Sequence, residues 1–473
     1  MSLKQGFNPY LPSWEYIPDG EPYLFGGRVY VYGSHDAFNG DTYCPNDYVC
    51  WSASQDDLSS WYYEGVIYKK TDDPFNHNGD MCLYAPDVTR GPDGRYYLYY
   101  VLNKVDVVSV AVCDSPAGKF TFHGYVSYPD GTKLGRRNGD QPQFDPAVLT
   151  EDKKTYLYTG FCWPDDKTRT GATVVVLDQD MLTVLEDPVT VIPSNPYSKG
   201  TGFEGFGFFE APSIRKHNET YYLIYSSVAR NELCYATSKS PTKDFVYGGV
   251  IISNADMNID TYKPADKPMN CGGNNHGSII QIKDKWYVFY HRHTNGSEYS
   301  RQECLEPIVI RSDGSIQQVE MTSCGPNNGP LAGKGEYPAY ITCNLFCPEH
   351  TSQMLNIHWP LHDPRLPKIT QDGNDGDETS GFVTNILNNS GIGFKYFNCK
   401  GITKIKIKTR NSGKGMFEVK IHWDGDSLGS IKIDNSDTWE ENSSCLSIPD
   451  GIHALYFLYK GTGIAELASF TLE

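Results

Sequence analysis

The sequence predicts an all-β protein of 473 residues, a five-bladed β-propeller followed by a β-sandwich domain. The first observation is an internal repeat, because a short strand rich in Tyr and β-branched residues recurs five times. The second is a change of pattern after about residue 320, where the repeat stops and apolar residues begin to alternate with polar ones. No long amphipathic helix interrupts either part, which favours sheets throughout.

Each copy of the repeat is a polar turn followed by an aromatic strand. The copies are centred on Tyr30, Tyr97, Tyr156, Tyr222 and Tyr287, at intervals of 67, 59, 66 and 65 residues. A unit of this length with several short strands is typical of one propeller blade, whereas a β-sandwich would not need the same motif five times. We therefore predict a propeller domain over residues 1–320.

A second regularity accompanies the repeat, since one polar residue stands ten to twelve positions before each repeat tyrosine. These residues are Asp19, Asp87, Asp145, Glu210 and His276. Equivalent positions in a propeller are related by rotation about its axis, so the five side chains are expected to form a ring around the central cavity. Such a ring of acids is costly unless a ligand, a cation or a catalytic role compensates. The alternative is a set of solvated turn acids that match by chance.

The predicted ring has the groups that glycoside hydrolysis requires. One carboxylic acid must protonate the leaving oxygen, and one carboxylate must activate water or attack the sugar. A third acid can orient the proton donor and keep its pKa high by repulsion between like charges. A His in the ring could instead help to hold a cation or orient a carboxylate.

The motifs around these residues resemble glycoside hydrolase family 43 over roughly residues 8–315. The resemblance implies a five-bladed propeller and inverting hydrolysis of α-L-arabinofuranosyl or β-D-xylosyl linkages in oligosaccharides from plant hemicellulose or pectin. It implies Asp19 as general base, Asp145 of Phe144-Asp145-Pro146 as the residue that orients the acid, and Glu210 of Glu210-Ala211-Pro212 as general acid. Glu21, two residues after Asp19, is a rival candidate for the base.

The resemblance also implies residues that bind substrate and a metal. Tyr84 and Asp87 occupy a stretch where the family has Trp-Ala-Pro-Asp, and we expect both to bind substrate, together with Arg301 and Trp163. His276-Gly277 is similar to a motif through which family members often hold calcium by way of bound water. A structural calcium ion at the propeller centre is therefore implied, whereas the chemistry itself requires no cofactor.

Two other functions compete with this hypothesis. One is a propeller that binds glycans without cleaving them, and the other is a glycosidase of the same fold that acts on another sugar, such as a galactoside. The invertase-like propellers, which retain configuration, are disfavoured because their N-terminal motif differs from Pro18-Asp19-Gly20 in this chain.

The segment 336–473 is predicted to be a β-sandwich that resembles a family 6 carbohydrate-binding module near its end. In strands such as 402–408, apolar residues alternate with Lys, as expected for a sheet packed on one face. Trp423, Trp439 and Tyr459 could form a sugar-binding platform. The interpretation that we favour is a sandwich that buttresses the catalytic domain.

Composition restricts the partners and the compartment. The net charge of −17 disfavours nucleic acid and anionic membranes and is compatible with an oligosaccharide or polysaccharide substrate. Thirteen cysteines, an odd number without regular spacing, favour a reducing compartment over a disulfide framework. The N-terminus has no apolar signal segment. We expect a cytoplasmic protein, or an exported one whose signal peptide is missing from this sequence.

Overall fold

Five antiparallel sheets form the blades of a propeller over the first two thirds of the chain. The computed structural model describes residues 5–347 and 365–473. Within these residues the first four blades have four strands and the fifth has three, in chain order from the axis outward. The strands are β1 (Glu21–Phe25), β2 (Arg28–Tyr32), β3 (Tyr48–Ser54), β4 (Asp57–Tyr68), β5 (Asp87–Arg90), β6 (Tyr96–Val101), β7 (Val108–Cys113), β8 (Thr121–Tyr125), β9 (Ala147–Glu151), β10 (Lys154–Thr159), β11 (Gly171–Leu177), β12 (Val189–Pro193), β13 (Phe208–His217), β14 (Thr220–Ser227), β15 (Glu232–Ser238), β16 (Val246–Ser253), β17 (Ser278–Ile282), β18 (Lys285–Arg292) and β19 (Gln302–Ile308).

The repeated aromatic strand is the second strand of every blade. The five repeat tyrosines lie on β2, β6, β10, β14 and β18. Their side chains and the β-branched residues beside them pack between neighbouring sheets, so that the described part of the propeller has a hydrophobic cluster at each of the five blade boundaries. The periodicity of the sequence therefore reflects burial between blades, and the predicted five-bladed propeller is confirmed.

The N-terminal segment closes the ring at the free edge of β19. The side-chain amide of Asn8 donates to the carbonyl oxygen of Leu305 at 2.8 Å, and its oxygen accepts from the amide of Leu305 at 3.0 Å. The amide of Tyr10 donates to the carbonyl oxygen of Glu303 at 3.3 Å. Residues 8–10 thus occupy the side of β19 where a fourth strand would lie, and they satisfy groups on that open edge.

The C-terminal part is a β-sandwich of two six-stranded sheets. One sheet has the order β20-β25-β30-β27-β28, with β22 on β25, and the other has the order β23-β24-β31-β26-β29, with β21 on β31. The strands are β20 (Leu331–Ala332), β21 (Gly335–Pro338), β22 (Asn344–Phe346), β23 (Lys368–Thr370), β24 (Phe382–Ile386), β25 (Gly391–Cys399), β26 (Ile402–Asn411), β27 (Lys414–Lys420), β28 (Gly429–Ile433), β29 (Ser436–Ile448), β30 (Gly451–Thr462) and β31 (Ala465–Leu472). Their inward side chains form one continuous hydrophobic core.

The aromatic residues considered for a sugar platform on the sandwich are packed. Tyr459 is fully buried in the sandwich core. The Trp439 ring lies 5.3 Å from the ring of Phe382, centroid to centroid, with the guanidinium of Arg410 above it. Trp423 packs against a smaller cluster and lies under the ammonium of Lys267, which belongs to the propeller. The idea of a joint platform is wrong at Tyr459, because this side chain faces the core.

Helices are short in the described chain. They are α1 (Asn195–Ser198) and 3-10 turns at Lys70–Asp72, Gly325–Asn327 and Ala339–Ile341. None of the helices among the described residues has the length and apolar character needed to span a membrane.

Candidate active site

Two rings of side chains are stacked around the propeller axis, on the first strands of the five blades. The lower ring is defined by strand register. In each blade its member lies on the first strand and pairs with the residue of the second strand that comes two positions after the repeat tyrosine. Its members are Glu21, Asp87, Ala147, Ser213 and Ser278. The upper ring lies about two residues earlier on each blade and consists of Asp19, Ala85, Asp145, Glu210 and His276.

The upper ring opens into a pocket of about 190 Å³. Predicted site residues that line it are Asp19, Tyr84, Asp145, Trp163, Glu210, His276 and Arg301. The remaining lining residues are Tyr43, Cys44, Ala85, Phe144, Phe161, Phe209, Arg230 and Asn274. The volume is below the roughly 300–1,000 Å³ of pockets that hold drug-sized ligands, so the pocket suits about one sugar residue.

Asp87 is the predicted site residue that the structure does not bring to the pocket. Its carboxylate is fully buried in the lower ring, where Oδ1 accepts from the Tyr23 hydroxyl at 2.7 Å and Oδ2 accepts from the amide of Val148 at 2.7 Å. Ala85 takes the place in the upper ring. The predicted ring is therefore wrong at this blade, because two residues along a strand return a side chain to the same face about 7 Å deeper.

Asp19 is held by donors on both carboxylate oxygens. The hydroxyl of Ser34 donates to Oδ2 at 2.6 Å, and Nη1 of Arg301 donates to Oδ1 at 3.1 Å. The backbone amide of Asp19 donates to Nδ1 of His291 at 3.3 Å, and Nε2 of the same ring bonds to the carbonyl oxygen of Asn274. The carboxylate is 95% buried and points into the pocket in a defined orientation.

Three segments of the upper ring have a left-handed backbone. The φ angles are 59° at Asp19, 45° at Asp145 and 65° at Ala211, which follows Glu210. L-residues other than Asn and Asp rarely adopt this conformation, and where it occurs it is often at functional sites. On β13 the register also shifts on both sides of Glu210, so a β-bulge aims this side chain into the pocket.

The environment of Glu210 favours its protonated form. Burial raises the pKa of Glu210 to about 7, the charge of Arg230 lowers it, and the charge of Asp19 raises it further. The pKa of Asp145 is also raised well above its usual range, first by burial and then by the charges of Glu210 and Asp19. A carboxyl group with a raised pKa can donate a proton, and a neighbouring carboxylate that is held by hydrogen-bond donors can accept one. The pocket therefore contains groups suited to both steps.

His276, in the upper ring, faces carboxylates of both rings. Its Nδ1 is 3.9 Å from Oδ1 of Asp19 and 3.8 Å from Oδ2 of Asp145, while its Nε2 faces Oε1 of Glu21 at 4.0 Å. Burial lowers the pKa of His276 despite these carboxylates. The ring is therefore neutral near pH 7 and can orient its neighbours by hydrogen bonds or water rather than by charge.

Below the pocket the axis is crossed by an ion pair. Nη2 of Arg215, on blade four, reaches Oε2 of Glu21, on blade one, at 2.5 Å, and the guanidinium lies over the ring of Tyr23. The hydroxyl of Ser213 donates to the same carboxylate at 3.1 Å. Glu21 is 1% exposed and does not line the pocket.

The sequence motifs did not reveal an ionic network on one wall of the pocket. The hydroxyl of Tyr43 donates to Glu298, and Nη2 of Arg230 lies 3.3 Å from Oε1 of the same carboxylate. Asp36 accepts from Nε and Nη2 of Arg301 at 2.8 and 3.0 Å. These residues are on loops between strands and outside the repeat position, so periodicity carries no signal for them.

A concave pocket in a five-bladed propeller, with a carboxyl group of raised pKa and a carboxylate held by donors near its axis, has the groups that a glycoside hydrolase needs. Residues 18–316 match the family described as glycosyl hydrolases family 43. The chain belongs to this family.

A relative that matches almost the whole chain is a xylosidase/arabinosidase of Thermoclostridium stercorarium. It is 66% identical over 469 residues, which cover 99% of each protein. An arabinoxylan arabinofuranohydrolase of Paenibacillus polymyxa is 25% identical and is matched over 99% of this chain and 72% of its own length.

Solved structures show the same architecture. A β-xylosidase/α-arabinofuranosidase from a compost microbial metagenome, a calcium-free form in complex with xylotriose, is 27% identical with a TM-score of 0.51, covering 66% of this chain and 97% of its own. An arabinoxylan arabinofuranohydrolase of Bacillus subtilis in complex with cellotetraose, 22% identical with a TM-score of 0.52, covers 98% of this chain and 97% of its own. The second likeness shows the fold of propeller and sandwich together.

Proposed function

We propose that the protein hydrolyses terminal α-L-arabinofuranosyl or β-D-xylosyl residues of plant cell-wall oligosaccharides, with inversion of configuration. The observation that carries the proposal is the contrast between two carboxyl groups in one pocket. Glu210 has a pKa raised to about 7, and Asp19 is held by Ser34 and Arg301. The 66% identity to a xylosidase/arabinosidase supports the choice of sugars.

In the proposed mechanism Glu210 is the general acid. Its protonated carboxyl group donates to the glycosidic oxygen as the bond to the anomeric carbon breaks. Asp145 acts through Glu210, because its buried carboxyl group is bonded to the backbone amide of Ala211, the residue after the acid, and so helps to orient it. After bond cleavage Glu210 is ionised, and a proton from solvent restores it.

Asp19 is the proposed general base. Its carboxylate takes a proton from the water that attacks the anomeric carbon on the face opposite the leaving group. Asp19 fits this role better than Glu21, because Glu21 lies in the lower ring with Oε2 bonded to Arg215. Nδ1 of His291 accepts a hydrogen bond from the backbone amide of Asp19 and so helps to fix the position of Asp19.

The aromatic and cationic residues of the pocket are the proposed sugar contacts. Tyr84 and Arg301 line the interior, where a ring face and a guanidinium can contact sugar C–H bonds and hydroxyl groups. Trp163 is 55% exposed at the same pocket and is suited to stack on the sugar that leaves. Asp87 is not among the proposed contacts, because its carboxylate is bonded to Tyr23 and Val148 in the lower ring.

The activity is tested with aryl α-L-arabinofuranoside, aryl β-D-xyloside and the corresponding natural oligosaccharides. We expect release from at least one sugar type and a loss of about 10²–10⁴-fold for Glu210→Gln on the natural oligosaccharide. The loss on the aryl substrate should be smaller, because an activated leaving group needs little protonation. Glu219→Gln, at an exposed turn of the same blade, is the matched control and should retain wild-type rates.

The stereochemistry is tested by proton NMR of the product immediately after cleavage. Inversion is expected if Asp19 activates water, whereas a retained anomer would contradict the role given to Asp19. A protein that binds these sugars without cleaving any glycoside would be the non-catalytic propeller. Cleavage of an aryl galactoside alone would make it a glycosidase for another sugar.

We also propose a calcium ion beneath the catalytic carboxylates, which Glu21 Oε1 would hold directly and His276 Nε2 would hold through bound water. The fit is supported by Glu21 Oε1, which is buried without a hydrogen-bond partner and lies 4.0 Å from His276 Nε2. No group of three or more metal-binding side chains occurs among the described residues, so water would complete the coordination shell. Bound calcium would supply positive charge below Asp19. A rise in melting temperature with added calcium that Glu21→Gln abolishes is the expected result.

For the chain as a whole we propose a catalytic propeller over residues 1–320 and a supporting sandwich over 336–473. The last propeller strand, β19, ends at Ile308, and the ammonium of Lys395 in the sandwich lies 3.0 Å from carboxylates of Asp256 and Glu320. These buried ion pairs support a structural role for the sandwich. A cytoplasmic location is proposed from the odd number of cysteines without regular spacing, with an exported protein as the alternative.

A further inference from the structure

Two loops form one wall of the pocket. Residues 35–46, between β2 and β3, carry Tyr43 and Cys44, and residues 293–301, between β18 and β19, carry Glu298 and Arg301. The loops are bonded to each other, since the Tyr43 hydroxyl donates to Glu298 and the hydroxyl of Ser300 donates to the carbonyl oxygen of Ala37 at 2.9 Å. A displacement of one loop therefore affects the other.

The sandwich makes hydrogen bonds to both loops. Oδ1 of Asp375, between β23 and β24, accepts from the backbone amide of Phe38 at 2.6 Å, and Oδ2 accepts from the side-chain amide of Asn46 at 3.2 Å. The amide of Ile369, on β23, donates to the carbonyl oxygen of Thr294 at 2.8 Å. A segment of one domain thus contacts both pocket loops of the other.

The segment that carries Asp375 is itself braced. Oδ2 of Asp377 accepts from the amide of Asn374 at 2.7 Å, and the side-chain amide of Gln371 donates to the carbonyl oxygen of Asn374 at 3.3 Å. Nη2 of Arg410, on β26, donates to Asp372 at 2.7 Å. The segment is therefore braced by its own hydrogen bonds around Asp375 and attached to the sandwich framework through Arg410, so it can act as a support for the loops.

A continuous series of hydrogen bonds leads from Asp375 to the carboxylate proposed as the base. The amide of Asn46 that donates to Asp375 also lies 3.0 Å from the carbonyl oxygen of Asp36. The carboxylate of Asp36 accepts two hydrogen bonds from the guanidinium of Arg301 and one from its backbone amide, and the guanidinium also donates to Asp19. The support thus acts on the group that holds Asp19 and on the wall that contains Tyr43.

We propose that Asp375 of the sandwich is a positioning residue for the pocket, and that the sandwich supports from outside the propeller loops that form the substrate-binding wall. The inference rests on the proposed function for the identity of the sugar. Asp375 touches no reacting atom; it fixes the 35–46 loop, and through that loop Tyr43 and Arg301. Its removal should therefore weaken substrate binding more than it slows the chemical step.

The test compares Asp375→Ala with Glu378→Ala, an exposed acid on the same segment. Because the lost hydrogen bonds are partly exposed to solvent, we expect KM to rise about fivefold in Asp375→Ala, with kcat within about twofold of wild type. Asp375→Asn, which keeps one acceptor oxygen, should recover part of the effect. Equal kinetics for Asp375→Ala and Glu378→Ala would overturn the proposal, as would a loss confined to kcat.

A binding measurement separates this proposal from the proposed catalytic function. Calorimetry with xylotriose and with an arabino-oligosaccharide is performed on Glu210→Gln and on Glu210→Gln/Asp375→Ala, so that no turnover is needed. An increase of about fivefold in Kd for the double variant, with an unchanged melting temperature, is expected. Equal Kd values in the two proteins, or no binding by either, would refute the positioning role. Failure of the wild type to hydrolyse these sugars would instead refute the function alone.

Discussion

Nη1 of Arg301 lies 3.1 Å from Oδ1 of Asp19, and the same guanidinium is fixed by two hydrogen bonds to the carboxylate of Asp36. All three side chains are at least 95% buried. A guanidinium shared between two carboxylates holds the second one in a defined direction, because its planar donors have a fixed geometry. Asp36 therefore controls the position of Asp19 without contacting the pocket itself.

Asp36→Asn should disturb this arrangement at nearly constant volume. Loss of the charge on residue 36 leaves Arg301 less restrained, so the position of Asp19 becomes less defined and kcat/KM should fall about 10- to 100-fold. The measurement is steady-state kinetics on the better of the two glycosides. Asp41→Asn, an exposed acid on the same loop, is the control, and a kcat/KM for Asp36→Asn equal to that of the control would contradict the role of Asp36.

The repeat in the sequence predicted the propeller and four of the five positions in the upper ring. It failed at blade two, where Asp87 stands ten residues before Tyr97 and the upper-ring residue Ala85 stands twelve before it. The turn between strands accounts for one residue of this difference, since Tyr97 pairs with Thr89, eight residues earlier, whereas Tyr30 pairs with Tyr23, seven residues earlier. Counting back from the tyrosine therefore does not identify the same layer in every blade. Turn length and the β-bulge at Glu210 both affect which residue faces the pocket, and neither has a fixed signature in the repeat.

The sequence pattern did not predict the pocket wall formed by Tyr43, Glu298 and Arg230, for a different reason. These residues are on loops whose path depends on long-range contacts, such as the bond between the Tyr43 hydroxyl and Glu298, 255 positions apart. The support from Asp375 spans a still longer separation, 337 positions to Phe38. The first contact is set by the packing of the first and fifth blades and the second by the packing of two domains, and local periodicity encodes neither.

The pH dependence of the reaction should report the ionisation of Glu210. The acid must be protonated in order to donate, and burial raises its pKa to about 7. We expect kcat/KM for a natural oligosaccharide to fall as the pH rises through about 7, because the fraction of protonated Glu210 falls. A pH profile of kcat/KM on the free enzyme measures this limb, and a constant rate from pH 6 to 9 would exclude Glu210 as the acid.

Two substitutions that each remove a charge should move the alkaline limb of the kcat/KM profile in opposite directions. The charge of Arg230 lowers the pKa of Glu210 and the charge of Glu298 raises it. Arg230→Gln should therefore shift the alkaline limb to higher pH, and Glu298→Gln should shift it to lower pH. Each variant serves as the control for the other, because general damage to the pocket would reduce the rate without producing shifts of opposite sign.

The raised pKa of Glu210 also makes stability depend on pH. Between about 4.5 and about 7 the unfolded chain has lost the proton of this residue while the folded chain retains it, so stability falls as the pH rises through this range. Glu210→Gln removes the ionisable group. The change that it causes in the free energy of unfolding should therefore be more favourable at pH 8 than at pH 4.5, by at most about 3 kcal/mol. Denaturation at both pH values measures the difference, and an equal effect of the substitution at the two values would contradict the raised pKa.

The contact between the two domains has its own test at Lys395, whose ammonium lies 3.0 Å from Oδ2 of Asp256 and 3.0 Å from Oε2 of Glu320. The side chains of Lys395 and Asp256 are fully buried. Lys395→Met would leave the carboxylate of Asp256 without its cation, and removing one partner of a buried pair costs about 3–5 kcal/mol.

We therefore expect Lys395→Met to lower the melting temperature markedly, while Lys400→Met, at an exposed lysine of the same domain, should have little effect. Lys395→Met/Asp256→Asn should recover part of the loss, because the second substitution removes the uncompensated charge. Scanning calorimetry distinguishes the alternatives. If Lys395 only filled space, Met would replace it with little loss, and the double variant would be no more stable than the single one. Recovery in the double variant would instead show that charge pairing between propeller and sandwich stabilises their contact.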